Sequence, residues 1–136
     1  MKIFVSVLVA MCSIIAFNVN AVNVIVHPSN TNSLDKSAIK KIFLGKSKKF
    51  PNGEQAIPVA LAGGDARTEF LGAVIGKSES QLKAYWSKLI FTGKGQAPKS
   101  VDTEAELVKL ISQNPNLIGY VSDAALDDSV KVLVKL

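Results

Sequence analysis

Ala56-Ile57-Pro58-Val59-Ala60-Leu61-Ala62-Gly63-Gly64-Asp65-Ala66-Arg67-Thr68-Glu69-Phe70 is the stretch on which the fold reading turns. Ile57 to Leu61 is a short apolar run with the length of a buried strand. Gly63-Gly64 lets the backbone turn sharply, and Asp65 is a good N-cap for the helix expected after it. A strand that feeds a helix through a glycine turn aims unpaired backbone N–H groups at one spot, where the positive end of the helix dipole also lies. The expected ligand class there is an anion. The competing reading is an ordinary βα turn whose glycines serve only the geometry.

Outward from this stretch, the chain splits into a leader and one domain. Residues 1–21 read as a signal peptide: Lys2 gives a basic start, Ile3 to Phe17 is apolar apart from Ser6 and Ser13, and Val19-Asn20-Ala21 suits signal peptidase. The apolar run is short for a membrane span, so no stable span is expected after cleavage. Cys12 is the only cysteine, and Met11 before it is too large for a lipoprotein signal. The expected export signal is cut after Ala21, with an uncleaved anchor as the alternative. Cleavage would place the protein in the periplasm and leave residues 22–136, long enough for one domain with a single core. That mature chain has no cysteine, so it uses neither disulfides nor thiolate metal ligands.

Loss of Lys2 takes the formal net charge from +5 to +4. Lys40, Lys41, Lys46, Lys48 and Lys49 crowd one segment, which reads as a solvated surface, with a patch for nucleic acid, acidic lipid or another polyanion as the alternative. No nucleic-acid partner is expected, because no aromatic residues suited to base stacking are interleaved with these lysines.

Val22 to Val26 is a β-branched first strand ending at His27-Pro28. His27, the only histidine, has no second His or Cys beside it and reads as a strand-end residue. Ser33 is placed to cap a first helix whose buried face is Leu34, Ala38, Ile39, Ile42 and Phe43, and Gly45 stops it. Phe70, Leu71, Val74 and Ile75 line a second helix ending at Gly76. Ser78 with Gln81 forms a capping box for a third. The spacing of Leu82, Tyr85, Trp86, Leu89 and Ile90 puts them on one face, with Trp86 anchoring the helix to the sheet. Thr92 to Lys99 reads as a loop. Thr103 and Glu106 make a second capping box, Asn114-Pro115 ends that helix, and strands follow at Leu117 to Val121 and Val130 to Val134.

The expected fold is therefore α/β, a single small domain with a mainly parallel sheet flanked by helices. Two Gly-Lys-Ser triplets, Gly45 to Ser47 and Gly76 to Ser78, fail as P-loops. Lys40 and Leu71 stand where the motif's first glycine belongs, and both triplets follow helices. The carboxylates are scattered, so no enzyme activity and no cofactor are expected.

Three segments in order resemble the periplasmic phosphate-binding proteins of ABC importers. Ile42-Phe43-Leu44-Gly45-Lys46 followed by Pro51-Asn52-Gly53 is similar to that family's Ile-Phe-x-Gly-Lys stretch. Asn116-Leu117-Ile118-Gly119-Tyr120-Val121 is similar to its Gly-x-Ile-Gly-Tyr-Val signature. The central strand–turn–helix sits where the family places an Arg-x-Asp-x-Ser-Gly-Thr phosphate loop. Tyr85-Trp86 and Phe91-Thr92-Gly93-Lys94-Gly95 resemble a compact group of such proteins.

The resemblance implies one lobe of a class II periplasmic binding protein, where full members have two lobes that close on the anion. It implies an oxyanion, phosphate in the first place, at Gly63, Gly64, Asp65, Ala66, Arg67 and Thr68. The Ser-Gly pair of the family loop is absent here, and Asp65 beside a phosphate repels it unless it only caps the helix. A second wall would come from self-association or another envelope protein. The alternative function is an envelope interaction protein that keeps the lobe without the ligand.

Overall fold

A computed structural model describes residues 21–136; the predicted leader, Ala21 apart, lies outside the described residues. In chain order the elements are β1 (Val22–Val26), α1 (Lys36–Phe43), β2 (Ile57–Leu61), α2 (Asp65–Phe70), α3 (Glu79–Phe91), β3 (Lys99–Val101), α4 (Glu104–Gln113), β4 (Leu117–Ser122) and β5 (Lys131–Lys135). They build one five-stranded sheet in the order β3-β2-β4-β1-β5. β2 runs parallel to β3 and β4, whereas β1 is antiparallel to both β4 and β5. Four strands thus point one way and β1 alone opposes them. No helix among the described residues is long and apolar enough to cross a membrane.

The helix ends follow local chemistry, with two corrections. Asp35, not Ser33, caps α1, its carboxylate accepting from the Ala38 N–H at 2.7 Å. Gly64, not Asp65, is the N-cap of α2, and it makes no side-chain cap bond. Both bonds of the Ser78–Gln81 capping box are present at α3. At α4 the Thr103 hydroxyl accepts from the Glu106 N–H at 3.1 Å. The last turn after α2, Leu71–Ile75, widens into a π-helix that closes with the Gly76 N–H on the Leu71 carbonyl at 2.7 Å. β3 is a further correction, since the sequence shows no strand between α3 and α4.

Trp86 is buried and rests against the turn after α1. A Cβ at Gly45 would lie 3.3 Å from the indole ring, so the ring rests on glycine backbone. The neighbouring Tyr85 hydroxyl donates to the Leu44 carbonyl of the same turn at 2.6 Å.

An aromatic stack joins the layers beneath the central turn. Phe70 of α2 lies parallel to Tyr120 of β4 with ring centres 4.0 Å apart, and Phe43 of α1 meets Phe70 edge-on at 4.7 Å. Gly119, beside Tyr120, permits α4 to approach the sheet. A Cβ there would lie 2.7 Å from both the Leu107 and the Ile111 side chains.

β2 and β4 pair only through Ile57–Leu117 and Pro58–Ile118, then separate. Ile57 donates toward β4, to the Asn116 carbonyl at 2.8 Å, and Ala62 donates toward β3, to the Val101 carbonyl at 2.9 Å. Strand alternation therefore points Pro58's donorless nitrogen toward β3, ahead of Val59 where β3 begins to pair, so the proline breaks no ladder bond. The same alternation points the Leu61 N–H toward β4, where the strand has already diverged. The Tyr120 hydroxyl fills the gap and accepts this buried N–H at 3.1 Å. Tyr120→Phe keeps the ring stack and orphans that N–H, so equilibrium denaturation should show a loss of about 1–3 kcal/mol with an unchanged denaturant slope.

Candidate anion-binding site

The turn from β2 into α2 exposes the first-turn donors of the helix. Gly64 sits at φ 91°, a conformation that side-chain-bearing residues rarely adopt, and it carries the chain from the strand end into the helix axis. The first bond back to this turn is the Thr68 N–H on the Gly64 carbonyl at 3.2 Å. The amides of Asp65, Ala66 and Arg67 precede it and belong to the first turn, which lacks intrahelical acceptors.

Leu61, Gly63, Gly64, Asp65 and Ala66 line one side of an open cavity of about 310 Å³. Asp102, Glu104 and Ser122 line the other. The Glu104 carboxylate is engaged by Ser122, accepting from its N–H at 2.7 Å and its hydroxyl at 3.0 Å. Asp65 and Asp102 are exposed at the mouth. The first residues of α2 and the carboxylate-bearing Asp102 and Glu104 thus line one cavity. Among the described residues no group of three or more His, Cys, Asp or Glu side chains is placed to hold a metal ion.

The six residues expected to act together do not all meet in one place. Gly63, Gly64, Asp65 and Ala66 line this cavity, but Arg67 lines a larger one of about 520 Å³ between α2, α3 and the sheet. Its guanidinium donates through Nη1 to the Leu61 carbonyl at 2.9 Å and forks onto Glu79, Nε at 2.5 Å and Nη2 at 2.9 Å. The Thr68 hydroxyl turns back to the Gly64 carbonyl at 3.2 Å.

These contacts set the local charge states. The Glu79 fork raises the Arg67 pKa against the opposing effect of partial burial, and the same contact holds the Glu79 carboxyl below the usual carboxylate range. Burial pushes the Tyr120 hydroxyl up, opposed by the Leu61 N–H and the nearby guanidinium. Tyr120 therefore stays neutral at physiological pH.

Glu79, Tyr120, Asp102, Glu104 and Ser122 enter the region without being singled out as site residues by the sequence. Arg67 and Glu79 are separated by the helix break at Gly76, and no helical spacing links them. Asp102, in the turn after β3, and Glu104, at the start of α4, lie far from the glycine turn in sequence.

No family model and no curated protein matches this sequence. Solved structures do. An ABC-type phosphate transport receptor from Vibrio cholerae aligns over 83% of this chain with a TM-score of 0.65 and 15% identity. A phosphate ABC transporter substrate-binding protein with bound phosphate, from Clostridium perfringens, gives 0.64 and 23% over the same share. PstS from Borrelia burgdorferi gives 0.59 and 14%. The chain shares the fold of phosphate-transport substrate-binding proteins. It spans less than half of the length of each of the three, 44–46%.

Because Glu79 is lowered, its ion pair stabilises the fold above the unfolded carboxylate pKa and ceases to do so as pH falls through the folded value. Glu79 is mostly exposed, so solvent limits the contribution to about 1 kcal/mol or less. Glu79→Gln should lower Tm at pH 7, and the gap to wild type should close below about pH 4. A gap that persists in acid would mean that packing, not charge, is lost.

Proposed function

We propose that this is an exported, solute-binding-like protein that holds phosphate or a similar small oxyanion in connection with ABC-type phosphate uptake. The observation that carries the reading is the uncapped first turn of α2, entered through Gly64 and open to the 310 Å³ cavity. The amides of Asp65 and Ala66 are the donors, aided by the helix dipole. Arg67 lines the neighbouring cavity, and its guanidinium holds the strand end. The fold shared with the Clostridium perfringens protein, whose structure holds phosphate, supports the ligand class.

The carboxylates shape the choice of ion. Asp65 and Asp102 repel a bare anion but accept a hydrogen bond from an oxyanion that still carries a proton. Hydrogen phosphate offers such a proton near neutral pH and sulfate does not. A single lobe gives one wall, so water reaches the other side of the ion and weakens the binding. A second surface, from another copy or another envelope protein, would close it.

The second reading, an envelope interaction protein without a ligand, is favoured by one feature. The acidic mouth and the engagement of Arg67 by Glu79 leave the cavity without a free cationic side chain of its own lining.

Calorimetry with phosphate should give a dissociation constant between about 1 mM and tens of micromolar, or about 4–6 kcal/mol, from a monomer. Sulfate should bind at least about tenfold more weakly. Gly63→Asp adds a carboxylate at the mouth with no atom in its way, and should abolish the phosphate signal without unfolding the protein. Submicromolar binding by a monomer would contradict the one-wall argument, and no binding of either ion would favour the second reading.

A further inference from the structure

Two long segments of the chain carry lysine and no acidic residue: 36–53, with Lys36, Lys40, Lys41, Lys46, Lys48 and Lys49, and 80–101, with Lys83, Lys88, Lys94 and Lys99. The fold brings them together. Trp86 rests on Gly45 and Tyr85 bonds the Leu44 carbonyl, so the end of α1 and the middle of α3 are fastened side by side. Lys48, Lys94 and Lys99 line one open groove of about 740 Å³ with no carboxylate in its lining. The groove's apolar side includes Ile90 and Trp86.

At this end of α3 the surface is also apolar where water should disfavour it. Phe91 is 92% exposed and Ile90 55%, two large side chains in succession. Their position is fixed rather than frayed. The Gly93 N–H donates to the Ile90 carbonyl at 3.1 Å, and the Lys94 N–H returns to the Leu89 carbonyl at 2.9 Å, folding Lys94 against the helix end. Lys88 lies one turn before Phe91 on the same helix.

We propose that this face docks on an anionic lipid membrane, with Phe91 and Ile90 entering the interfacial layer and the surrounding lysines on the headgroups. The residue types favour lipid over a folded acidic partner. Protein interfaces are enriched in arginine and depleted in lysine, and this face has lysine alone. Lysine is a point charge with no fixed fork to match, which suits headgroups that rearrange beneath it. A protruding phenylalanine with Lys88 and Lys94 on either side in the chain gains from the interface of a bilayer, where neither a preformed pocket nor one fixed geometry is required. Each part is weak alone, and an apolar anchor combined with a basic patch gives stable attachment. The oxyanion cavity lies at the β2–α2 turn and shares no lining residue with the groove, so this inference stands apart from the phosphate reading.

Co-sedimentation of the purified protein with vesicles of mixed phosphatidylglycerol and phosphatidylethanolamine tests it. Binding should fall steeply as salt rises from about 50 to 500 mM, and phosphatidylcholine vesicles should bind at least about tenfold less. Phe91→Ala, and separately Lys48→Glu with Lys94→Glu, should each weaken binding about tenfold or more. Lys109→Glu on α4 should bind as wild type does. All of these sites are exposed, and circular dichroism checks that the variants stay folded. Equal binding to both vesicle types, or variants indistinguishable from wild type, would overturn the proposal. So would binding to polyglutamate with none to the anionic vesicles, which would assign the face to an acidic polypeptide.

Discussion

The hydrogen bond from the Leu61 N–H to the Tyr120 hydroxyl holds the centre of this fold together. β2 and β4 share only two residue pairs before they part, so the end of β2 has no complete backbone ladder on that side. Side chains replace it. Tyr120 takes the N–H of Leu61, and Arg67 donates to the carbonyl of the same residue. Both polar groups of the last strand residue are thus satisfied by side chains that arrive from β4 and α2. Because Tyr120 also stacks on Phe70, the contact that ends the strand also seats the helix following it.

This arrangement explains why the charged side chain best suited to an anion stands away from the helix N-terminus. Arg67 is committed to the strand end and to Glu79, and the first residues of α2 line the opposite cavity. On the proposed reading, a site of amides and carboxylates without a cation would discriminate by proton content more than it attracts by charge. The structure accordingly separates two tasks. Arg67 and Tyr120 hold the strand end, and the glycine turn presents the donors.

Much of the fold was legible where local chemistry decides it. β1 and β2 are apolar or β-branched runs with turn signals after them, and their observed bounds match the runs. The Ser78–Gln81 box is a local motif, and it forms as such. β3 was not legible because Lys99-Ser100-Val101 contributes one buried side chain and becomes a strand only by pairing with β2. The cap of α1 was misplaced by two residues because Ser33 and Asp35 are both good cap types, and only geometry selects between them. In the candidate site the glycine turn was readable, but the orientation of Arg67 was not. That depends on Glu79 beyond a helix break and on an open ladder position, and neither has a sequence signature.

Side chains complete the ladder at Leu61 and so fix the turn into α2. Native-state hydrogen exchange at the Leu61 amide measures this directly. Protection should be comparable to that of Ile57, whose N–H bonds the Asn116 carbonyl, and far above that of Gly63 and Gly64. Exchange at Leu61 as fast as at the two glycines would contradict it.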